Sequence, residues 1–223
     1  MQAINLKTNH LTQPLGIDAG TLFLSWQCAE GVRQTAYEIE VTAGAETLWT
    51  SGKILSSMMH TETPAVPPKT QGQWRIRLWD ENDQPGAWSN ASFETGLAQA
   101  DWQGVWVCPE TEEPDIDCTD AINAFAKPNW EQKQAALEAS GKGQAQPYQP
   151  HRPASYLRKT FTAPAGEGKR LYITARGLYA AWLNGKRVGD MVFAPGSFTA
   201  DKHLGAQTYD VTALVRDGEN ELL

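Results

Sequence analysis

The sequence predicts an all-β protein built from two antiparallel β-sandwich modules in tandem, the first over residues 1–98 and the second over 99–223. In several short segments, apolar and polar residues alternate with a period of two, as in strands buried on one face. The clearest alternation lies at 171–176, and Asn184-Gly185 supplies the two positive-φ residues that a tight hairpin turn needs. These features favour sandwiches over the parallel sheet typical of α/β enzymes.

The first module is predicted from a series of short strands separated by turn residues. Alternating apolar side chains place the firmest strands at 22–26, 37–41 and 74–79, and shorter ones are expected at 47–50 and 88–94. The remaining segments are expected to be an arm or edge strand at 1–15, a loop with one edge strand at 52–69, and a turn at 80–86. This pattern is typical of a fibronectin type III or immunoglobulin-like sandwich.

The second module is expected to start at Asp101–Val107 and to carry a long insertion at 109–153. Helix formers at 130–139, with Asn129 as N-cap and Gly141 as C-cap, predict one helix in this insertion. Two interpretations remain open for the insertion. It is either a packed surface excursion or a segment that contributes to a neighbouring active site or an oligomer contact.

Beyond the insertion, strands are predicted at 171–175, 179–183 and 186–188, the last two joined by the Asn-Gly hairpin. Ala194-Pro195-Gly196 marks a further turn. Residues 208–212 are rich in β-branched and aromatic side chains, which predicts another strand.

Composition and charge exclude several classes of partner. The net charge of −7 argues against nucleic acid and anionic membranes, since both require clustered Lys and Arg. The sequence has neither an apolar run long enough to span a bilayer nor an apolar leader segment. Three cysteines without a paired motif suit a reducing compartment, so a cytoplasmic location is expected. The four histidines are scattered, and neither a metal nor a cofactor is expected.

The order of several short motifs resembles the N-terminal region of bacterial α-L-rhamnosidases, the inverting glycoside hydrolases of family 78. In the first module the resemblance is carried by Ser25-Trp26-Gln27, Tyr37–Val41, Trp49 with Ser51-Gly52-Lys53, Trp74–Asp80, Trp88-Ser89 and Phe93–Leu97. In the second it is carried by Tyr156-Leu157-Arg158, Phe161, GLYAAWLNGKRVGD at 177–190, FAPGSFTADK at 193–202 and QTYDVTALVRDGENELL at 207–223. The insertion departs from the family, in which a short link leads to a Tyr-Leu-Arg strand.

This resemblance implies a non-catalytic role for the chain. In the family, the general acid and base lie in an (α/α)₆ barrel downstream of the sandwiches, and the barrel releases terminal α-L-rhamnose with inversion. The two modules would pack against that barrel of the same polypeptide and shape its rim. The family's sandwich also continues past Leu223, which implies that the sequence is a piece of a longer enzyme, cut so that an edge is left unpaired or a sheet incomplete.

Two alternatives to the accessory role remain. In the first, the chain is a carbohydrate-binding module for rhamnose-containing sugars, with Trp182, Asn184, Lys186 and Phe198 as the substrate-binding candidates and Phe193 beside them. The competing interpretation places Trp182 and Phe193 in the core and Asn184 in a turn. In the second alternative, the chain is a structural module that forms a homo-oligomer.

No catalytic residue is predicted. Glycoside hydrolysis needs two carboxyl groups facing each other across the sugar, and nothing in the sequence marks such a pair. The carboxylates considered are Asp80, Glu81, Asp83, Asp115, Asp117, Asp120, Asp190, Asp201 and Asp210. Those at 80–83 and 190 are expected to fix turns, and Asp210 is expected to bond a neighbouring backbone group. The acidic cluster at 115–120 lacks the glycine and terminal glutamate of a calcium loop.

Overall fold

A computed structural model of the chain describes residues 1–108, 154–199 and 202–223. Within these ranges the secondary structure is almost wholly β and the sheets are built from antiparallel strand pairs, which confirms the predicted class. The insertion at 109–153, with its predicted helix at 130–139, lies outside the described residues. The boundary between residues 98 and 99 stays a prediction.

Two sheets form the first module. The first sheet has the order β1-β2-β6, and its strands are β1 Gln2–Thr8, β2 Phe23–Ala29 and β6 His60–Glu62. The second has the order β4-β3-β7-β8, with β5 paired to β3, and its strands are β3 Ala36–Ala43, β4 Glu46–Thr50, β5 Ile54–Leu55, β7 Gln71–Trp79 and β8 Ser89–Glu94. The segment 52–69, expected to be mostly loop with one edge strand, thus contains two short strands.

The alternation of apolar residues determines the core between these sheets. The inward side chains are buried as predicted, and they are Leu22, Leu24, Trp26, Tyr37, Ile39, Val41, Trp74, Ile76 and Leu78. Each buried indole N–H has a partner, since Trp26 Nε1 donates to Gln34 Oε1 and Trp74 Nε1 donates to Thr8 Oγ1, both at 3.0 Å. The polar atoms of these large side chains are therefore satisfied inside the core.

The described part of the second module contains two further sheets. One pairs β10 Arg170–Ile173 with β13 Gln207–Asp210. The other has the order β12-β11-β14-β9, and its strands are β9 Lys159–Ala163, β11 Trp182–Leu183, β12 Lys186–Arg187 and β14 Gly218–Leu222. A smaller core is formed by Ala181, Leu183, Val188 and Val211, with partly buried side chains around them.

Two expectations for the second module are wrong. Tyr156-Leu157-Arg158 is not a strand: it precedes β9, and Tyr156 is 80% exposed. The last strand is not an edge either, because β14 lies between β11 and β9. The backbone groups of β14 therefore face neighbouring strands on both sides.

An ion cluster joins β8 of the first module to β10 of the second. Arg170 Nε lies 3.0 Å from both carboxylate oxygens of Glu94, and its Nη2 lies 2.8 Å from Glu94 Oε2. Arg170 Nη1 also lies 3.0 Å from Asp210 Oδ2 on the neighbouring strand. The Arg170 and Glu94 side chains are only 16% and 10% exposed, so each charge is stabilised mainly by the other rather than by water.

The backbones of the two modules also approach closely beside this cluster. A Cβ at Gly16 would lie 2.2 Å from Thr208 Oγ1 of β13, and Gly16 has a φ of +74°. A larger residue at position 16 would clash with Thr208 and would be strained at this φ, so the position requires glycine. The same loop is fixed to the first module, because the N–H groups of Gly16 and Ile17 both donate to the Glu94 carbonyl.

We expect Arg170→Met to destabilise the chain strongly, by about 3–5 kcal/mol, because it leaves the Glu94 carboxylate buried without a partner. The control is Lys69→Met, which removes the exposed Lys69–Asp101 pair and should cost at most about 1 kcal/mol. Urea unfolding followed by tryptophan fluorescence measures both. The double variant Glu94→Gln/Arg170→Met should recover part of the loss. Equal effects of the two single variants would contradict a buried role for Arg170.

Candidate functional site

Three of the four predicted sugar-binding residues lie on the β11–β12 hairpin. Asn184 and Gly185 have φ values of 53° and 77°, which confirms the tight turn predicted from the sequence. The Asn184 side chain is occupied within the fold. Its Nδ2 donates to Leu214 O and Asn220 Oδ1, both at 2.8 Å, and its Oδ1 accepts from the N–H of Glu221 at 3.0 Å. These bonds tie the turn to β14, so the geometry of Asn184 is that of a structural residue.

The hairpin places the other two residues on different faces. Trp182 is paired with Arg187 and Leu183 with Lys186, so Trp182 and Lys186 lie on opposite faces of the ribbon. Trp182 is 36% exposed, which is more than a core residue would show. A binding role for either side chain stays a prediction.

The fourth residue, Phe198, lines a cleft at another place in the second module. The cleft has a volume of about 520 Å³ and is lined by Ala175, Gly177, Leu178, Phe193, Gly196, Ser197, Phe198 and Leu204. Its size is in the range of small-molecule sites, but among its described lining residues only Ser197 has a polar side chain. Phe193 is 71% exposed at its edge, so the interpretation of Phe193 as a core residue is wrong.

Two half-buried tyrosines, Tyr179 and Tyr209, support the strand beside this cleft. Tyr179 Oη donates to Gln207 Oε1 at 3.0 Å and lies 3.2 Å from Tyr209 Oη. Burial, together with the Tyr209 hydroxyl, raises the pKa of Tyr179 well above its usual value, so the phenol stays protonated and able to donate. Gln207 Nε2 in turn donates to Pro195 O at 3.0 Å, which connects β13 to the Ala194-Pro195-Gly196 turn.

Sequence reasoning missed part of the exposed apolar surface around the cleft. Leu178, Met191 and Val192 are 62%, 42% and 63% exposed and were not predicted as surface residues. One signal was available, because Met191-Val192-Phe193 is an apolar run without alternation that directly follows the Gly189-Asp190 turn.

The described carboxylates of the first-module turn have structural partners. Asp80 Oδ1 accepts the N–H groups of Asn82 and Gln84, both at 2.9 Å, and Asp83 pairs with Lys53. Glu81 accepts backbone N–H groups, its own and those of Arg33 and Val32, and these bonds lower the pKa of its carboxyl. All three carboxylates therefore organise the turn and the loop beside it, as expected from the sequence.

Asp210 also has the structural role that was predicted. Its Oδ1 accepts the N–H of Thr212 at 2.9 Å, while its Oδ2 faces Arg170. Hydrogen bonds from Thr212, followed by the Arg170 charge, lower the pKa of Asp210. Asp190 is exposed after the hairpin. Asp115, Asp117, Asp120 and Asp201 lie outside the described residues.

The tryptophans on the outer face of the first module are covered by cations. Arg75 lies 4.5 Å and Arg77 4.8 Å from the centre of the Trp88 ring, and Lys53 and Arg77 lie 4.7 and 5.0 Å from the Trp79 ring. An aromatic face that already holds a cation is not open to stack on a sugar.

The described ranges contain neither a cluster of metal ligands nor a membrane-spanning helix. Among residues 1–108, 154–199 and 202–223, no three His, Cys, Asp or Glu side chains come together as metal ligands. In the same ranges there is no helix with the length and hydropathy needed to span a bilayer. The described residues form two antiparallel β-sandwich modules, with a cleft in the second.

Comparison with known families identifies both modules. Residues 3–99 match the Rha78A-like N-terminal immunoglobulin domain, and residues 167–223 match the α-L-rhamnosidase N-terminal domain. Both modules of the chain therefore match the non-catalytic N-terminal region of α-L-rhamnosidases.

Relatives and solved structures agree with this assignment. An α-L-rhamnosidase of Formosa agariphila is 30% identical over 97% of this chain and 23% of its own length, and one of an Alteromonas species is 28% identical over 94% and 22%. The α-L-rhamnosidase structure from Aspergillus terreus matches 99% of this chain and 23% of its own, with a TM-score of 0.70 and 25% identity. The α-L-rhamnosidase structure from Dictyoglumus thermophilum matches 100% of this chain and 24% of its own, with a TM-score of 0.75. At 24% sequence identity, this match supports the fold. The chain spans less than a quarter of the length of these proteins.

We expect Asn184→Ala to destabilise the chain by about 2–3 kcal/mol, since it removes three hydrogen bonds and places alanine at a positive φ. Lys186→Ala, in the same hairpin and exposed, is the matched control and should change stability by less than about 0.5 kcal/mol. Thermal unfolding followed by circular dichroism compares them. If both variants unfold at the same temperature as the wild type, the hydrogen bonds of Asn184 do not stabilise the hairpin.

The lowered pKa of Asp210 predicts a loss of stability in acid. Because the ionised form is favoured in the folded chain, the contribution is fully present above the unfolded pKa, about 3.9, and is lost as pH falls through the lower folded pKa. Asp210→Asn should flatten the decline of the urea midpoint below about pH 5. Asp190→Asn is the control, and its urea midpoint should vary with pH as that of the wild type does. Parallel pH curves for Asp210→Asn and wild type would contradict the assignment.

Proposed function

We propose that this chain forms the non-catalytic N-terminal modules of a longer α-L-rhamnosidase, whose inverting hydrolysis of terminal α-L-rhamnose takes place in a domain outside these residues. The observation that carries the proposal is the coverage: relatives match nearly the whole chain but less than a quarter of their own length. The described carboxylates support it, because Asp80, Glu81, Asp83 and Asp210 each serve the fold. The modules would pack on the catalytic domain and shape its substrate entrance. A cytoplasmic location remains part of the proposal.

The test compares the 223-residue chain with the protein obtained by extending expression to the natural stop codon. Each is incubated with a chromogenic α-L-rhamnoside, and release of the chromophore is measured. We expect turnover only in the extended protein, since the acid–base pair required for glycoside hydrolysis lies outside this chain. Turnover by the 223-residue chain itself would overturn the proposal.

A second candidate function is binding of a rhamnose-containing sugar by the second module. It is favoured by the partial exposure of Trp182. If Trp182 stacks on the sugar, millimolar L-rhamnose should quench the tryptophan fluorescence of the wild type but not that of Trp182→Phe. Unchanged wild-type fluorescence would remove this candidate, whereas the accessory role would be unaffected.

A further inference from the structure

Three exposed apolar side chains line the cleft, and two more directly precede Phe193 in the chain; we name these five residues the apolar rim. Its members are Leu178 (62% exposed), Met191 (42%), Val192 (63%), Phe193 (71%) and Phe198 (39%). Single exposed apolar residues are common on soluble proteins, but a contiguous group is not and generally marks a contact surface. The rim includes three consecutive residues, 191–193, which a strand buried on one face would not expose together.

The fold holds this surface in place. Arg187 Nη2 donates to Met191 O at 3.1 Å, and the N–H of Tyr179 donates to Ala194 O at 2.8 Å. Between these anchors, Phe193 has a φ of 58°, a left-handed conformation that is strained for a bulky residue. The backbone is thus fixed on both sides of an exposed aromatic ring. A surface prepared in this way loses little conformational freedom when a partner covers it.

The chemistry of the cleft fits a protein surface better than a sugar. Sugar sites combine aromatic faces with several converging polar groups, whereas the described lining residues here offer one side-chain hydroxyl, that of Ser197, and no charged side chain. The centres of protein interfaces are poor in charge and rich in Phe and Met. The rim has this composition.

We propose that the apolar rim is the docking surface for the part of the longer polypeptide that follows this region. This inference rests on the proposed function. The relatives carry more than three quarters of their length outside the matched region, so a large covalently linked partner is available. Because the linkage gives a high effective concentration, a contact of a few apolar side chains suffices to hold the domains together.

The experiment measures how well the rim is covered. Cys108, which is exposed, and Cys118 are replaced by serine, and Cys28 is kept because it is half-buried and its burial raises the thiol pKa. Val192→Cys, on the rim, is compared with Val32→Cys, which is 88% exposed in the first module. Each is made in the 223-residue chain and in the extended protein, and the rate of maleimide labelling is measured. Leu178→Cys provides a second position on the rim.

We expect positions 192 and 178 to be labelled about tenfold more slowly in the extended protein than in the 223-residue chain, because thiol reactivity follows access. Position 32 should change little. Equal labelling of the rim positions in both proteins would overturn the inference. So would protection already present in the 223-residue chain that grows with protein concentration, since a second copy would then be the occupant.

Rhamnoside hydrolysis measured in the same preparations separates the two proposals. Hydrolysis without protection of position 192 would overturn the docking surface and leave the proposed function intact. Protection without hydrolysis would support docking and refute the proposed reaction.

Discussion

The arrangement of the two modules depends on one side chain, Arg170. Its planar guanidinium bonds both oxygens of Glu94 in the first module while facing Asp210 across the β10–β13 pair. A lysine could neutralise the charge but could not form this fork. Such a buried pair adds little net stability, because desolvation offsets most of the attraction. Its effect is specificity: any other placement of β10 against β8 would leave a carboxylate buried and unpaired.

On the outer face of the first module, charged and aromatic side chains cover one another. Cross-strand pairs Glu38–Arg77 and Glu40–Arg75 lie in register on β3 and β7, and each forms a salt bridge. The same arginines cover Trp88, so charge and aromatic surface neutralise each other within the sheet. This face needs no partner. The apolar rim of the second module is covered less, because the His203 ring lies 5.4 Å from the Phe198 ring while Leu178, Val192 and Phe193 remain 62%, 63% and 71% exposed.

Local sequence signals predicted most of the described fold because they act over few residues. Burial on alternate positions defined β2, β3 and β7, and Asn184-Gly185 defined the hairpin. Prediction failed where long-range context decides. Tyr156-Leu157-Arg158 looks strand-like by composition and by resemblance, yet the strand begins only at Lys159. The Arg170–Glu94 bond spans 76 residues, and no local pattern signals it.

The site was predicted less well than the fold, and for a related reason. Trp182, Asn184, Lys186 and Phe198 were chosen for residue type, but whether such residues act together depends on register and loop geometry. The hairpin register separates Trp182 from Lys186, and hydrogen bonds to β14 occupy Asn184. Phe198 instead lies with Phe193 in the cleft.

The exposure of Phe193 is therefore the most informative departure from the sequence-based picture. An aromatic ring in a left-handed conformation could lower its free energy by turning inward, but the bonds at Met191 and Ala194 fix the chain around it. Within these two modules alone, that conformation and the exposed apolar area only cost stability. Their cost is offset when another surface covers the rim, as the docking of a following domain would do.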